Sequence, residues 1–290
     1  MSAVAAPVPR ASARPRRHWN ISLIVQYVIL SIWAAIVLFP LADLLILSVK
    51  TLPQIVSHPF QWPTSINWSN YAVAWTQGQI GRLLLNTAGV AVGSVLVVIA
   101  LSSAAAYVLG RYEFRGNQAV YMMFLSGLAL PIQLLAVPLF VLMKNIGLLD
   151  NPLSLVLIYG SSGLSFSVFL LTSFVRSVPK ELEEAAFMEG ATPFQVYLRI
   201  VMPIMRPVLT TVALFNFVSA WNGFFFPLIL LTDPSRMTVS VGVLSFVGVY
   251  STQWNYLVPA LIMVMLPMVL VFTIASRQFI RGLTAGALKV

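Results

Sequence analysis

The sequence predicts an all-α, polytopic membrane protein with six transmembrane helices. Composition is the first reason: 59% of the 290 residues are hydrophobic and only 9% are charged, against about 25% charged in soluble domains. Such a chain cannot cover itself with polar groups in water. The second reason is six apolar runs, each long enough for the roughly 20 residues that a bilayer requires. The third is an uneven spread of cations. Lys50, Arg82, Lys144 and Arg236 fall on one side of the predicted membrane, and the other thirteen of the 17 fall on the opposite side. The positive-inside rule then places both termini and one Glu-rich loop in the cytoplasm. A net charge of +9 would suit nucleic acid, but cations at the ends of apolar runs make no continuous patch, so no nucleic-acid partner is expected.

Residues 1–19 are rich in Ala, Pro and Arg and read as a disordered cytoplasmic tail; residues 20–290 read as one transmembrane domain. A signal peptide would have an apolar core of about 7–15 residues. The first run, Ile21–Val49, is longer and reads as an uncleaved span. Further spans are expected near Leu83–Gly110, Gln118–Lys144, Pro152–Val175, Pro207–Leu231 and Trp254–Phe279. Between the first two lies a hydrophilic loop whose Trp62, Trp68 and Trp75 suit a membrane interface. Proline recurs within spans: Pro131 and Pro138 in the third, Pro227 in the fifth, Pro259 and Pro267 in the sixth. Each is either a packing kink or a break of the kind that lines a transport path. The chain has no cysteine, so disulfide and thiol chemistry are excluded. His18 and His58 lie in separate hydrophilic segments and make a poor metal site.

One polar stretch stands apart from the apolar runs. Residues 178–203 carry Glu181, Glu183, Glu184 and Glu189 between the fourth and fifth spans, in a loop of residues 176–206. Pro179 belongs in a first helical turn, and the acids suit the positive end of a helix dipole. Gly190 is expected to stop this helix in the left-handed conformation. Thr192, Pro193 and Gln195 then supply an N-cap, a first-turn proline and a capping box for a second helix, and Pro203 closes the segment. On the first helix, Leu182, Ala185, Ala186 and Glu189 share a face opposite Lys180, Glu184 and Phe187. An acidic polar face is repelled by anionic headgroups, which favours a protein partner over a helix lying on the bilayer.

Glu184-Ala185-Ala186, Gly190 four residues later, then Ile200 and Met202-Pro203 resemble the "EAA" loop of ABC importer permease subunits, with Met202 where Leu is usual. The likeness extends from about Leu38 to Lys289. Asn86-Thr87, Gly147-Leu148-Leu149-Asp150, Trp221-Asn222 and the ending Gly282 to Lys289 are similar to the carbohydrate-uptake branch, typified by the maltose-type smaller permease subunit. Gly223 departs from the pattern, since an acid often follows Trp-Asn there, and Leu288 replaces a usual Val.

The resemblance implies six spans, a heterodimer with a second permease, two cytoplasmic ATPase subunits, an extracytoplasmic solute-binding protein and a plasma or inner membrane location. It also implies that the coupling helix docks in the ATPase through Glu184, Ala185, Ala186, Gly190, Ile200 and Pro203. The expected function is half of a translocation pathway for a sugar, driven by ATP that the partners bind. The chain lacks the Gly-x-x-x-x-Gly-Lys-Ser/Thr phosphate loop, so no catalytic residue, metal or cofactor of its own is expected.

Polar groups within spans are few. Gln133, Trp221 and Asn222 are candidates for a sugar path, since amides bond hydroxyls and an indole stacks on a sugar face. Bonding between helices is the alternative, and it is favoured for Asn216. Asp43, near the outer end of the first span, is the one intramembrane acid. A secondary transporter or channel would want titratable groups at mid-membrane, and an intramembrane hydrolase would want paired acids or a Ser/His set; neither pattern is present.

Overall fold

The computed structural model describes residues 21–248 and 251–287, with the surroundings of side chains from 23 to 248 and 251 to 275. The tail and the whole Gly282–Lys289 ending therefore lie outside the described side chains. Among the described residues the fold is helical, and the one β feature is an isolated bridge between Val247 and Thr252.

Three helices are long and apolar enough to cross a bilayer unbroken: α1 (Ile21–Ser48), then Ile80–Arg111, then the helix that starts at Trp254. The other expected spans are interrupted. In chain order, α2 (Leu52–Ser57) and α3 (Ser69–Gln77) fold the first hydrophilic loop, and α4 (Ile80–Arg111) follows. The third expected span, Gln118–Lys144, is two short helices, α5 (Asn117–Ser126) and α6 (Ala136–Asn145), joined through a 3-10 turn at Ile132–Leu135. Pro131 caps that turn in extended conformation, where a proline has no helical N–H to lose. The fourth is a bent pair, α7 (Pro152–Ser162) and α8 (Leu164–Ser177), meeting at 42°. If this pair and the one at the polar loop are each counted as a span, the described residues hold five.

The polar loop holds α9 (Glu181–Met188), α10 (Pro193–Val196), a π-helical turn at Tyr197–Val201 and α11 (Met202–Ile204). The chain turns by 76° before α12 (Arg206–Trp221). The expected fifth span likewise breaks after Trp221, and α13 (Phe225–Leu230) resumes it. α14 (Val239–Gly242) and α15 (Trp254–Ala287) complete the chain. Pro40 and the pair Pro259 and Pro267 sit inside α1 and α15 without ending them.

α4 is the axis of the fold. It packs on α7, α8 and α12 and touches α3, α5, α14 and α15, whereas α1 rests on α15 with every side chain from Leu23 to Ala42 exposed. Small residues allow the close approaches around α4. Gly160 and Gly110 face Val97 and Val175 with no room for a methyl group. At the end opposite the polar loop, side-chain amides and hydroxyls tie loops to helices. Asn86 donates to the carbonyls of Ser235 (2.9 Å) and Met237 (3.0 Å), and the Thr87 hydroxyl accepts the Val239 N–H at 2.9 Å. Asp150 accepts the N–H groups of Thr232 and Asp233 at 2.9 and 3.0 Å. The bond from Asp233, then that from Thr232, hold its carboxyl below the usual carboxylate range. Lys50 is buried and donates to the carbonyls of His58 and Pro59, closing the first loop upon itself.

The joint between α7 and α8 rests on Gly163. A Cβ there would collide with the Asn216 carbonyl oxygen and press on Val98. Asn216 cannot yield easily: it is buried and donates to Ser167 Oγ (3.1 Å) and Val212 O (2.8 Å). Helix propensity alone would favour alanine over glycine by about 1 kcal/mol, whereas overpacking costs about 1–3 kcal/mol. Gly163→Ala is therefore expected to lower the thermal midpoint of the purified chain, and an unchanged or raised midpoint would contradict the packing described.

Candidate functional site

Local chemistry builds the polar loop. Pro179 and Lys180 precede α9, and its first turn carries Glu181, Glu183 and Glu184. Gly190 ends the turn after α9 at φ +85°, a conformation that costs a non-glycine residue roughly 1–2 kcal/mol. Thr192 and Gln195 form the capping box: Thr192 N–H donates to Gln195 Oε1 at 2.8 Å, and Gln195 N–H donates to Thr192 Oγ1 at 3.3 Å. Both features match the sequence expectation. The difference lies at the far end. Pro203 is exposed within α11, the helix continues through it, and the bend falls at Met205.

The loop is packed onto the spans. Val196, Val201 and Met205 are fully buried in a cluster with Ala106 and Tyr107 of α4, Leu171 and Val175 of α8, and Val208 and Val212 of α12. Ala186, Ala191, Tyr197, Ile200 and Met202 pack on its margin. The Tyr107 and Tyr197 rings lie 5.3 Å apart, and the Tyr197 hydroxyl is 2.7 Å from that of Ser103.

A buried charge contact locks α9 to this base. Arg111 Nε at the end of α4 lies 2.5 Å from Glu183 Oε1, and both side chains are nearly sealed from solvent, at 5% and 7% exposed. The oxygen sits off the line of the N–H, so this is a charge contact and not an aligned hydrogen bond. Alignment comes from the neighbours. The Tyr107 hydroxyl donates to Glu183 Oε2 at 3.1 Å, and Arg111 Nη2 donates to the Val178 carbonyl at 2.9 Å. The base is reinforced by Arg176, whose Nη2 reaches the Leu109 carbonyl at the C-terminus of α4.

Glu183 and Ala186, three residues apart, are thus the inward side of α9. Leu182 and Glu189, expected to share the face of Ala186, are exposed. Glu184 and Ala185 are exposed with them, and Glu184 makes no ion pair among the described residues. Leu182, Phe187 and Met188 project apolar surface from the same short helix, Met188 at 89% exposure. Arg199 on the same loop is exposed, and the cation that meets a glutamate is Arg111. Nothing local in the sequence marks Arg111 and Glu183 as partners, since one ends α4 and the other lies in a run of acids beyond α8.

Among the described residues, no hydrogen bond or ring contact joins the three candidate pathway residues to one another. Gln133 is exposed in the 3-10 turn between α5 and α6. Trp221 is buried, stacked on Phe217 with ring centroids 5.4 Å apart, against Ala91 of α4. Asn222 caps the C-terminus of α12 and is exposed. Asn216 bonds between helices, as expected for an amide in lipid. Asp43 is half-buried with no ion pair among the described residues. Gly223 has a steric reason: a Cβ would collide with the Tyr159 hydroxyl, which is itself buried and without a hydrogen-bond partner.

These features define a membrane-embedded helical transport subunit with a rigid polar helix presented at one end. Residues 102–284 match the family described as binding-protein-dependent transport system inner membrane component, and the chain belongs to that family. It is a permease component of an ABC importer, not an enzyme. It is 34% identical over 267 residues to the diacetylchitobiose uptake system permease protein of Streptomyces coelicolor, covering 91% of this chain and 88% of that one. It is 32% identical over 229 residues to the melibiose/raffinose/stachyose import permease protein of Bacillus subtilis, covering 79% and 83%. The fold is shared with a chain in the crystal structure of a bacterial ABC transporter involved in alginate import, with a TM-score of 0.80 at 22% identity, covering 92% of this chain and all of that one.

Removing one member of a buried pair costs about 3–5 kcal/mol, whereas replacing both with apolar groups is often neutral. Arg111→Met is therefore expected to raise amide exchange across residues 181–204, and Arg111→Met with Glu183→Leu to restore much of the protection. Equal exchange in all three proteins, read by hydrogen–deuterium exchange, would contradict the clamp.

Proposed function

We propose that this subunit forms half of the path for a carbohydrate across the membrane and is driven by ATP hydrolysed in partner subunits docked on α9. The observation that carries the reading is the division of labour on that helix. Glu183 is spent holding α9 to α4, which leaves Glu184, Ala185 and three apolar side chains facing outward from a fixed base. Such a surface, a small apolar patch rimmed by acid, suits a protein cleft with a cationic wall. Ala186 and Ile200 serve the base, Gly190 shapes the turn, and Pro203 stays exposed on α11 where a partner can reach it.

Permease relatives whose names specify diacetylchitobiose and melibiose, raffinose or stachyose support a saccharide substrate. A structural neighbour is in complex with an alginate pentasaccharide-bound periplasmic protein, which supports an extracytoplasmic solute-binding partner here too. We place both termini in the cytoplasm and count six spans, taking the interrupted segments 117–145 and 206–230 as one span each. The exposed face of α1 then meets lipid or the second permease of a heterodimer. Along the path, Gln133 and Asn222 offer amides to sugar hydroxyls, with Trp221 standing behind Asn222. Closure of the nucleotide sites moves α9, and the helices packed on its base follow, so that one access state is exchanged for the other.

Reconstitution of the chain with its ATPase, second permease and binding protein in proteoliposomes tests this reading. Glu184→Lys reverses a docking charge, and Gly190→Val forces a β-branched residue into the left-handed region. A Cβ at Gly190 would meet nothing within 4 Å, so the fault is conformational and confined to the turn. Each variant is expected to keep its place in the membrane and to lose sugar uptake by roughly tenfold, the effect of about 1.4 kcal/mol. Wild-type uptake in both would reject docking at α9.

A further inference from the structure

A cavity of about 770 Å³ opens beside the coupling base, between the end of α4, the start of α5 and the end of α8. Its lining is unlike the rest of the membrane-facing surface. Arg176 and Lys180 reach it from α8 and the residues leading into α9, and neither is paired with a carboxylate among the described residues. Arg111 also lines it, but its charge is committed to Glu183. Glu113 is the one carboxylate in the wall, and it makes no ion pair among the described residues. The start of α5 contributes a second kind of donor. Asn117 N–H bonds Phe114 O and Val120 N–H bonds Gly116 O, while the N–H groups of Gln118 and Ala119 between them have no backbone acceptor among the described residues. Arg176 lies over the Tyr121 ring at 5.1 Å and gives one N–H to the Leu109 carbonyl, but no carboxylate offsets its charge among the described residues. Two cations without a carboxylate partner and two N–H groups at a helix N-terminus therefore line one concavity, against a single acid.

Such a constellation fits a phosphate group, which takes charge-assisted bonds from Arg and point-charge contact from Lys. The position selects which phosphate. α5 runs from the cavity into the apolar layer, and one turn on from Ala119 it exposes Met122 and Met123. Phe114 on the rim is also half exposed. A ligand seated here has a charged end in the cavity and an apolar wall beside it. We propose that the cavity is a binding site for the headgroup of an anionic phospholipid, held by Arg176, Lys180 and the N-terminus of α5 with its acyl chains along α5. Basic pockets between membrane helices on the cytoplasmic side hold such headgroups. Placing this end in the cytoplasm rests on the orientation given under the proposed function. The bound lipid would brace the same helix ends that hold Arg111 against Glu183.

Native mass spectrometry of the assembled transporter, delipidated and then titrated with phosphatidylglycerol or phosphatidylcholine of identical acyl chains, tests the site. Wild type is expected to retain phosphatidylglycerol over phosphatidylcholine. Arg176→Gln with Lys180→Gln should weaken phosphatidylglycerol retention roughly 30-fold, the loss of two cations at a membrane surface. Arg176→Lys with Lys180→Arg should keep it, Arg199→Gln on the exposed loop should leave it unchanged, and Glu113→Gln should strengthen it. Tightening in the last variant cannot come from damage to the fold. Equal retention of the two lipids by wild type, or undiminished retention in the Gln pair, would overturn the proposal. Displacement of the lipid by inorganic phosphate at equal concentration would assign the cavity to a soluble anion and overturn it as well. Lipid retention needs no transport, so its outcome is independent of the docking test.

Discussion

The rest of the structure depends on one buried charge pair. Glu183 and Arg111 are taken almost wholly out of water, a step whose desolvation cost can exceed the attraction between them. Burial on those terms adds little net stability, but it fixes one arrangement, because either charge alone in that position is heavily penalised. Tyr107 and the Val178 carbonyl then direct the two side chains. The result is a short helix that cannot drift on its base. Eight residues are too few for α9 to hold its own helical shape in water, so its geometry comes from what it is fastened to.

α4 receives that fastening and carries it through the membrane. Gly160 on α7 and Gly110 on α4 itself let α7 and α8 lie close along it, and α12 closes the other side. At the opposite end the same helix holds the segment before α14 through Asn86 and Thr87. One element therefore meets the polar loop at its C-terminus and that segment near its N-terminus. The interrupted helices surround it. Their breaks fall at Pro131, which caps a turn with no N–H to lose, at Gly163 between α7 and α8, and at Asn222 in the C-cap position of α12. In lipid such breaks survive where protein satisfies the freed groups, which places them against other helices or along a path.

Much of this was legible in the sequence where the cause was local. Gly190 and the Thr192 to Gln195 capping box were readable because each acts within one turn. Hydropathy marked the apolar runs, since those depend on composition alone. It could not find the breaks, because an average over a span hides one glycine or an amide. Nor could it separate buried Glu183 from exposed Glu184 and Glu189, a difference decided by a partner far away in the chain. Gly223 looked like a missing acid and is explained by Tyr159 occupying the space. Trp221 looked available for stacking on a sugar and instead stacks on Phe217.

The central claim is that α9 moves only as one body with the end of α4. Paired spin labels at exposed Leu182 on α9 and exposed Val108 on α4, measured by pulsed electron resonance in the assembled transporter with and without ATP, test it most directly. The account predicts one narrow distance distribution that is the same in both states, while distances from α9 to the second permease change. A Leu182 to Val108 distance that shifts or broadens with nucleotide would contradict it.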